Sequence, residues 1–231
     1  MKKSTATTFL LSASLIWGIS FVVMKGLLNY LPVNHLLAYR FSVGAIGLSY
    51  VLFKYKTAFT KKSIIQGFLI GLCMYSAFVF QTYGLMFIGS GKNALITAVY
   101  VILVPLLMWV FKKDKPSIKS IIAACICFTG IAVLSVGSIS QSNASEYAPK
   151  LIEQLFNVKP TVVQMELIGI GLTLISGVLY AVHIAIVNIF GENTPVMPLT
   201  FMQYFFAAIL AWISALLFEK SPDLIALLPD I

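Results

Sequence analysis

Two cations stand inside otherwise apolar sequence, and they have the clearest capacity for chemistry. Arg40 lies seven residues into a run that begins near Asn34, roughly 10 Å deep at a rise of 1.5 Å per residue. A charge within a membrane span costs at least about 2.5–3.5 kcal/mol and usually faces the protein interior or a water-filled cavity. Its guanidinium fork matches a carboxylate or phosphate, which makes Arg40 a candidate anchor for an anionic group. The competing reading is a side chain that snorkels to the interface or ties to backbone carbonyls. Lys25 sits near the end of the preceding run, where its stem can lift the ammonium to water. Alternatively, the two cations form one positive vestibule that gathers anionic or zwitterionic molecules.

Uncharged candidates accompany them. Gln81, one helical turn from Gly84, is a hydrogen-bonding group within a run and must face protein or water. Trp17, Phe21, Tyr39, Tyr83, Tyr100 and Tyr180 either line a cavity or pack. His183 is a proton relay or a histidine satisfied by a neighbouring carbonyl; His35 lies at an interface. No Asp or Glu falls well inside an apolar run, Glu166 standing at the start of one. There is no phosphate-binding motif, no paired carboxylates, no metal-ligand spacing and no nucleophile motif. Cys73, Cys125 and Cys127 all lie in apolar runs, against a disulfide framework or a metal site. The expectation is a chain with no catalytic residues, metal or cofactor, and not an enzyme.

The elements that carry these residues are long and apolar. At 59% hydrophobic and 10% charged residues, with a mean hydropathy of +0.95, the chain departs from ordinary soluble domains, which are about 25% charged. A bilayer crossing takes roughly 20 apolar residues, and such runs are predicted at 7–27, 34–53, 64–88, 93–111, 118–136, 165–190 and 198–218. Each must be helical, because a lone strand in lipid leaves its backbone groups unsatisfied. The expected fold class is therefore an all-α polytopic membrane protein of about seven transmembrane helices. The formal charge of +8 comes from lysines in short loops, which fits membrane topology better than nucleic acid. Lys2 and Lys3, then Lys54, Lys56, Lys61 and Lys62, then Lys112, Lys113, Lys115 and Lys119 put the N-terminus in the cytoplasm by the positive-inside rule. No small-x-small cleavage site follows the first run, so it is read as a spanning helix in the cell membrane.

A long-range repeat organises the runs. At an offset of 163, Trp17 falls on Tyr180, Gly18 on Ala181, Pro32-Val33 on Pro195-Val196, Leu36 on Leu199, Arg40 on Gln203 and Ala45-Ile46 on Ala208-Ile209. This divides the chain into a five-helix unit (8–136), an extracytoplasmic connector (137–164) and a partial second unit (165–231). An odd number of helices per unit inverts the second, which places a site at mid-membrane and lets the halves rock in alternating access. The second unit stops after two helices. A truncated ten-helix protein is expected, or a partner or second copy that supplies the rest. The connector carries Asn143-Ala144-Ser145, a glycosylation pattern, and a mildly amphipathic stretch at 147–158 that predicts a short surface helix. Gly67 with Gly71, Gly44 with Gly47 and Gly169 with Gly171 suit close helix packing. Pro105 predicts a kink.

These residues together resemble the drug/metabolite transporter superfamily in its EamA-domain branch. The resemblance is carried by Leu15-Ile16-Trp17-Gly18-Ile19-Ser20-Phe21 followed by Lys25, by Tyr39-Arg40-Phe41, and by Gln81-Thr82-Tyr83-Gly84-Leu85. It continues in Ser90-Gly91-Lys92-Asn93-Ala94-Leu95, Val104-Pro105-Leu106-Leu107 and Gly130-Ile131-Ala132-Val133-Leu134. It implies two five-helix units, cytoplasmic termini and movement of small metabolites through a central cavity. The chain departs from that pattern in its short second unit and long connector. The expected function is secondary transport of small organic metabolites such as amino acids, with Arg40, Lys25, Trp17, Tyr83, Gln81 and Tyr180 as substrate-binding residues. Expected partners are the lipid bilayer and a small-molecule substrate, with no nucleic acid. The alternative is a non-transporting membrane subunit; a membrane-embedded transferase lacks any catalytic constellation.

Overall fold

The computed structural model describes residues 3–113, 117–137, 147–156 and 160–222. Every regular element among them is helical. Helix α1 spans Lys3–Leu27 and ends in a turn whose amides bond back to Met24, Gly26 and Leu27 carbonyls. Pro32 follows at φ −61° and ψ 154°, an extended conformation that halts one helix and opens the next. Helix α2 is Val33–Gly47. The single helix expected over 34–53 is broken: after α2 the ladder tightens to three-residue bonds, Ser49 N to Ile46 O and Leu52 N to Ser49 O, before α3, Tyr50–Lys54. Gly44 and Gly47 weaken the helix at that end.

Helix α4, Lys61–Phe87, opens on a capping box in which Thr60 and Ser63 satisfy each other's backbone amides. The run expected at 93–111 is also interrupted. It forms α5, Ser90–Thr97, and α6, Tyr100–Lys112. The break falls at Ala98–Val99, while Pro105 sits inside α6. Next come α7, Ile118–Gly137, and α8, Tyr147–Phe156, the short helix expected in the connector. Helix α9, Val162–Gly191, has its own capping box from Thr161 and Gln164, and α10 is Val196–Phe218. Among the described residues, six segments are long and apolar enough to cross a membrane: Thr7–Leu27, Val33–Lys54, Lys61–Phe87, Ser90–Lys112, Val162–Gly191 and Val196–Phe218. Helix α7 is a further apolar helix of 20 residues. The glycosylation pattern at Asn143 and the chain after Pro222 lie outside the described residues.

Contacts at the helix ends give their directions. Lys25 at the end of α1 binds carbonyls at the end of α4, and Glu219 just past α10 binds the start of α2. Lys92 at the start of α5 pairs with Glu166 at the start of α9, and Lys112 at the end of α6 pairs with Glu192 just past α9. Helix α9 therefore runs opposite to α1, and α10 opposite to α2, the relation an inverted repeat requires. Helix α4 sits at the centre, flanked by α9 and α10, and α10 also packs on α2. Glycines permit this: a Cβ on Gly71 would come within 2.9 Å of the Gln203 carbonyl, and one on Gly169 within 2.8 Å of Phe87 Cβ. Gly44 and Gly67 lie equally close to Tyr204 and Met202, whereas Gly47 and Gly171 face open space.

Candidate functional site

Residues of α1, α4, α9 and α10 surround Arg40 of α2. Its guanidinium lies over the Phe78 ring, 4.7 Å from the centroid, and Nη1 touches the Met24 thioether. The phenols of Tyr180 and Tyr204 are within its electrostatic reach. No carboxylate pairs with it among the described residues. A thioether and a π face are soft, partial partners for five N–H donors, so the fork keeps capacity for an anion.

From Arg40 a chain of rings crosses the bundle. Phe78 meets Tyr180 edge-on at 5.3 Å, Tyr180 lies 6.1 Å from Tyr100, and Tyr100 stacks on Trp17 at 6.3 Å. Trp17 and Tyr180, matched by the offset of 163, thus flank the same ring. Tyr180 donates through its hydroxyl to Gln81 Oε1 at 3.0 Å, and Gln81 Nε2 donates to Thr97 Oγ1 at 3.2 Å. Thr97 in turn donates to the Asn93 carbonyl, and Asn93 Nδ2 donates to Thr173 Oγ1 at 2.8 Å. This network joins α4, α5 and α9 in the interior, with Gln81 only 2% exposed and Asn93 not exposed at all. Asn93 Oδ1 is the buried side-chain oxygen without a hydrogen-bond partner among the described residues.

The structure thus brings Arg40, Gln81 and Tyr180 to one aromatic and polar interior, while Trp17, 38% exposed, meets that interior through Tyr100. Lys25 and Tyr83 lie elsewhere. Lys25 Nζ donates to the carbonyls of Leu85, Met86 and Ile88 at 2.5, 3.1 and 3.0 Å. It satisfies orphan carbonyls at the end of α4, instead of reaching for water. Tyr83 lines a cavity of about 500 Å³ at the same face, with Leu28, Leu31, Met86, Leu151 of α8 and Glu219. Among the other aromatics, Phe21 is buried and Tyr39 meets Trp212 edge-on at 5.3 Å. His183 Nε2 lies 2.9 Å from Oε1 of Gln203, the residue that the offset of 163 sets against Arg40. No group of three or more potential metal ligands occurs among the described residues.

Several participants were not singled out in the sequence. Met24 and Phe78 read as ordinary apolar residues, and nothing local marks them as neighbours of a cation. Asn93, Thr97 and Thr173 carried the same signal as Gln81, a polar side chain within a run. Glu219 carried less, because a carboxylate at a helix end is unremarkable until its partners are seen.

Apolar helices of crossing length, packed in opposed directions around a polar interior, define a multi-pass membrane protein in contact with the lipid bilayer. The model of the EamA-like transporter family matches residues 4–136, and the chain belongs to that family. It is 28% identical over 136 residues to an uncharacterized transporter of Archaeoglobus fulgidus. That match covers 58% of this chain and 42% of the relative, so the chain spans less than half the length of the protein it resembles. No solved structure matches.

Proposed function

We propose that the chain takes part in secondary transport of small organic metabolites, such as amino acids, across the cell membrane, with its N-terminus in the cytoplasm. Arg40 holds the anionic group of the substrate, while Trp17, Tyr180 and Gln81 line the path and Tyr83 meets the molecule nearer one face. Alternating access arises as α1–α7 and the oppositely directed α9–α10 rock against each other. One observation carries this reading: Arg40 is an intramembrane cation whose partners are a π face and a thioether. A guanidinium kept only for structure is expected to sit against carbonyls or a carboxylate, as Lys25 does. The test is solute flux in vesicles holding the full-length protein. Arg40→Ala is expected to abolish transport of carboxylate substrates; unchanged flux of every substrate would remove this role.

A second reading rests on α1, which touches the bundle sparingly and leaves Phe9, Leu15 and Ile16 exposed. In this reading another polypeptide, in place of lipid, covers that face, and the chain is a membrane subunit that acts through it. Crosslinking and size measurement in mild detergent separate the two: a monomer competent for flux rules out the subunit.

A further inference from the structure

We propose that the Glu219 carboxylate is a releasable gate at the face where α1 turns into α2, an inference that rests on the transport reading above. Helix α2 begins at Pro32 without a side-chain cap of its own, which leaves first-turn amides without intrahelical partners. Glu219, delivered from the far end of the sequence by α10, satisfies them. Its Oε1 accepts from Asn34 N at 2.8 Å and from Asn34 Nδ2 at 2.9 Å. Its Oε2 accepts from His35 N at 3.0 Å and lies 3.0 Å from His35 Nδ1. Tyr75 of α4 adds a bond from its hydroxyl to Asn34 Oδ1 at 2.9 Å. Tyr83, Lys150 of α8 and Lys220 share the cavity wall with Glu219.

The position of this clamp gives it a function. The cavity reaches Val33 at the start of α2, and Arg40 lies further along the same helix. Between them Leu37 and Ala38 are fully buried. On this proposal a solute in the cavity reaches Arg40 when the first turns of α2 part from their neighbours, and Glu219 ties those turns to the end of α10. The opposite face is closed differently. There Thr194 donates to Gln66 at 2.8 Å, and Val51, Ile70, Leu199, Phe201 and Met202 form an apolar cluster. Opening that face separates a packed cluster on α3, α4 and α10, beside the Lys112–Glu192 pair that joins α6 to the end of α9. Parting α2 from α10 at the Glu219 face breaks directional bonds gathered on one side chain, which can be lost and remade together, while Lys25 on α4 and Lys92 on Glu166 hold other helices there.

The test uses the full chain in nanodiscs, with Cys73→Ala, Cys125→Ala and Cys127→Ala and a single reporter, either Ala38→Cys or Ala207→Cys. Both reporter positions are fully buried, and an impermeant maleimide reads their exposure. Loss of charge-assisted bonds through Glu219→Gln is expected to speed labelling at Ala38→Cys by about tenfold, with Ala207→Cys unchanged. Unchanged labelling at Ala38→Cys overturns the gate. An equal rise at both reporters signals general loosening and overturns it as well. Arg40→Ala serves as the separate arm. If it leaves flux intact while Glu219→Gln exposes Ala38→Cys, the gate stands and the Arg40 role falls; the reverse pattern removes the gate alone.

Discussion

The Tyr180 hydroxyl donates to the Gln81 amide oxygen at 3.0 Å, a bond that ties α9 to α4 in the bundle interior. Both side chains are buried, so neither group can turn to water when the other is lost. The same Tyr180 ring stands between Phe78 and Tyr100 in the chain of rings leading from Arg40. A polar tie and an aromatic contact therefore meet in one residue.

Tyr180→Phe keeps the ring and removes the donor, which leaves Gln81 Oε1 unpaired. An unsatisfied buried acceptor costs about 1–3 kcal/mol, so thermal unfolding in detergent is expected several degrees lower. Gln81→Leu in the same background recovers part of the loss, because it removes the stranded acceptor. Additive losses in the double variant would show that the bond contributes nothing of its own.

The glycines divide into two groups. Gly84→Ala places a methyl 3.0 Å from the Gly169 carbonyl, and Gly169→Ala meets Phe87 at 2.8 Å. Overpacking of this kind costs about 1–3 kcal/mol. Gly47→Ala and Gly171→Ala meet open space and are expected to leave unfolding temperature unchanged or raised, since Ala is the better helix former. Equal sensitivity at all four positions would contradict the observed α4–α9 crossing.

Lys25→Met is expected to act on stability and leave substrate affinity alone. The ammonium that serves the Leu85, Met86 and Ile88 carbonyls disappears, along with a favourable charge at a helix C-terminus, worth roughly 0.3–1 kcal/mol in exposed settings and more when partly buried. Lys25→Arg retains the charge and restores part of the stability. A raised KM with unchanged unfolding would instead make Lys25 a substrate contact.

Arg40→Lys preserves the charge and loses the planar fork. If a carboxylate is held bidentately, KM for flux rises roughly tenfold with a smaller change in the limiting rate. An unchanged KM would show that the cation acts as a point charge.

The amino-acid sequence determined the class of this protein. Runs of apolar residues longer than a bilayer is thick can only be spanning helices, because lipid offers backbone groups no other partner. Lys25, Arg40 and Gln81 stood out because a polar side chain in such a run is costly wherever it points. The same cost says nothing about which partner offsets it, and tertiary structure decided that. It gave Lys25 three carbonyls and Arg40 a ring and a thioether. It also carried Glu219 to the start of α2 and split two expected helices at Ser49 and Ala98, where local hydrogen bonding and not hydropathy sets the break. Insertion into a membrane depends on the composition of one segment at a time, whereas the contacts of a buried charge depend on the packing of several helices distant in sequence.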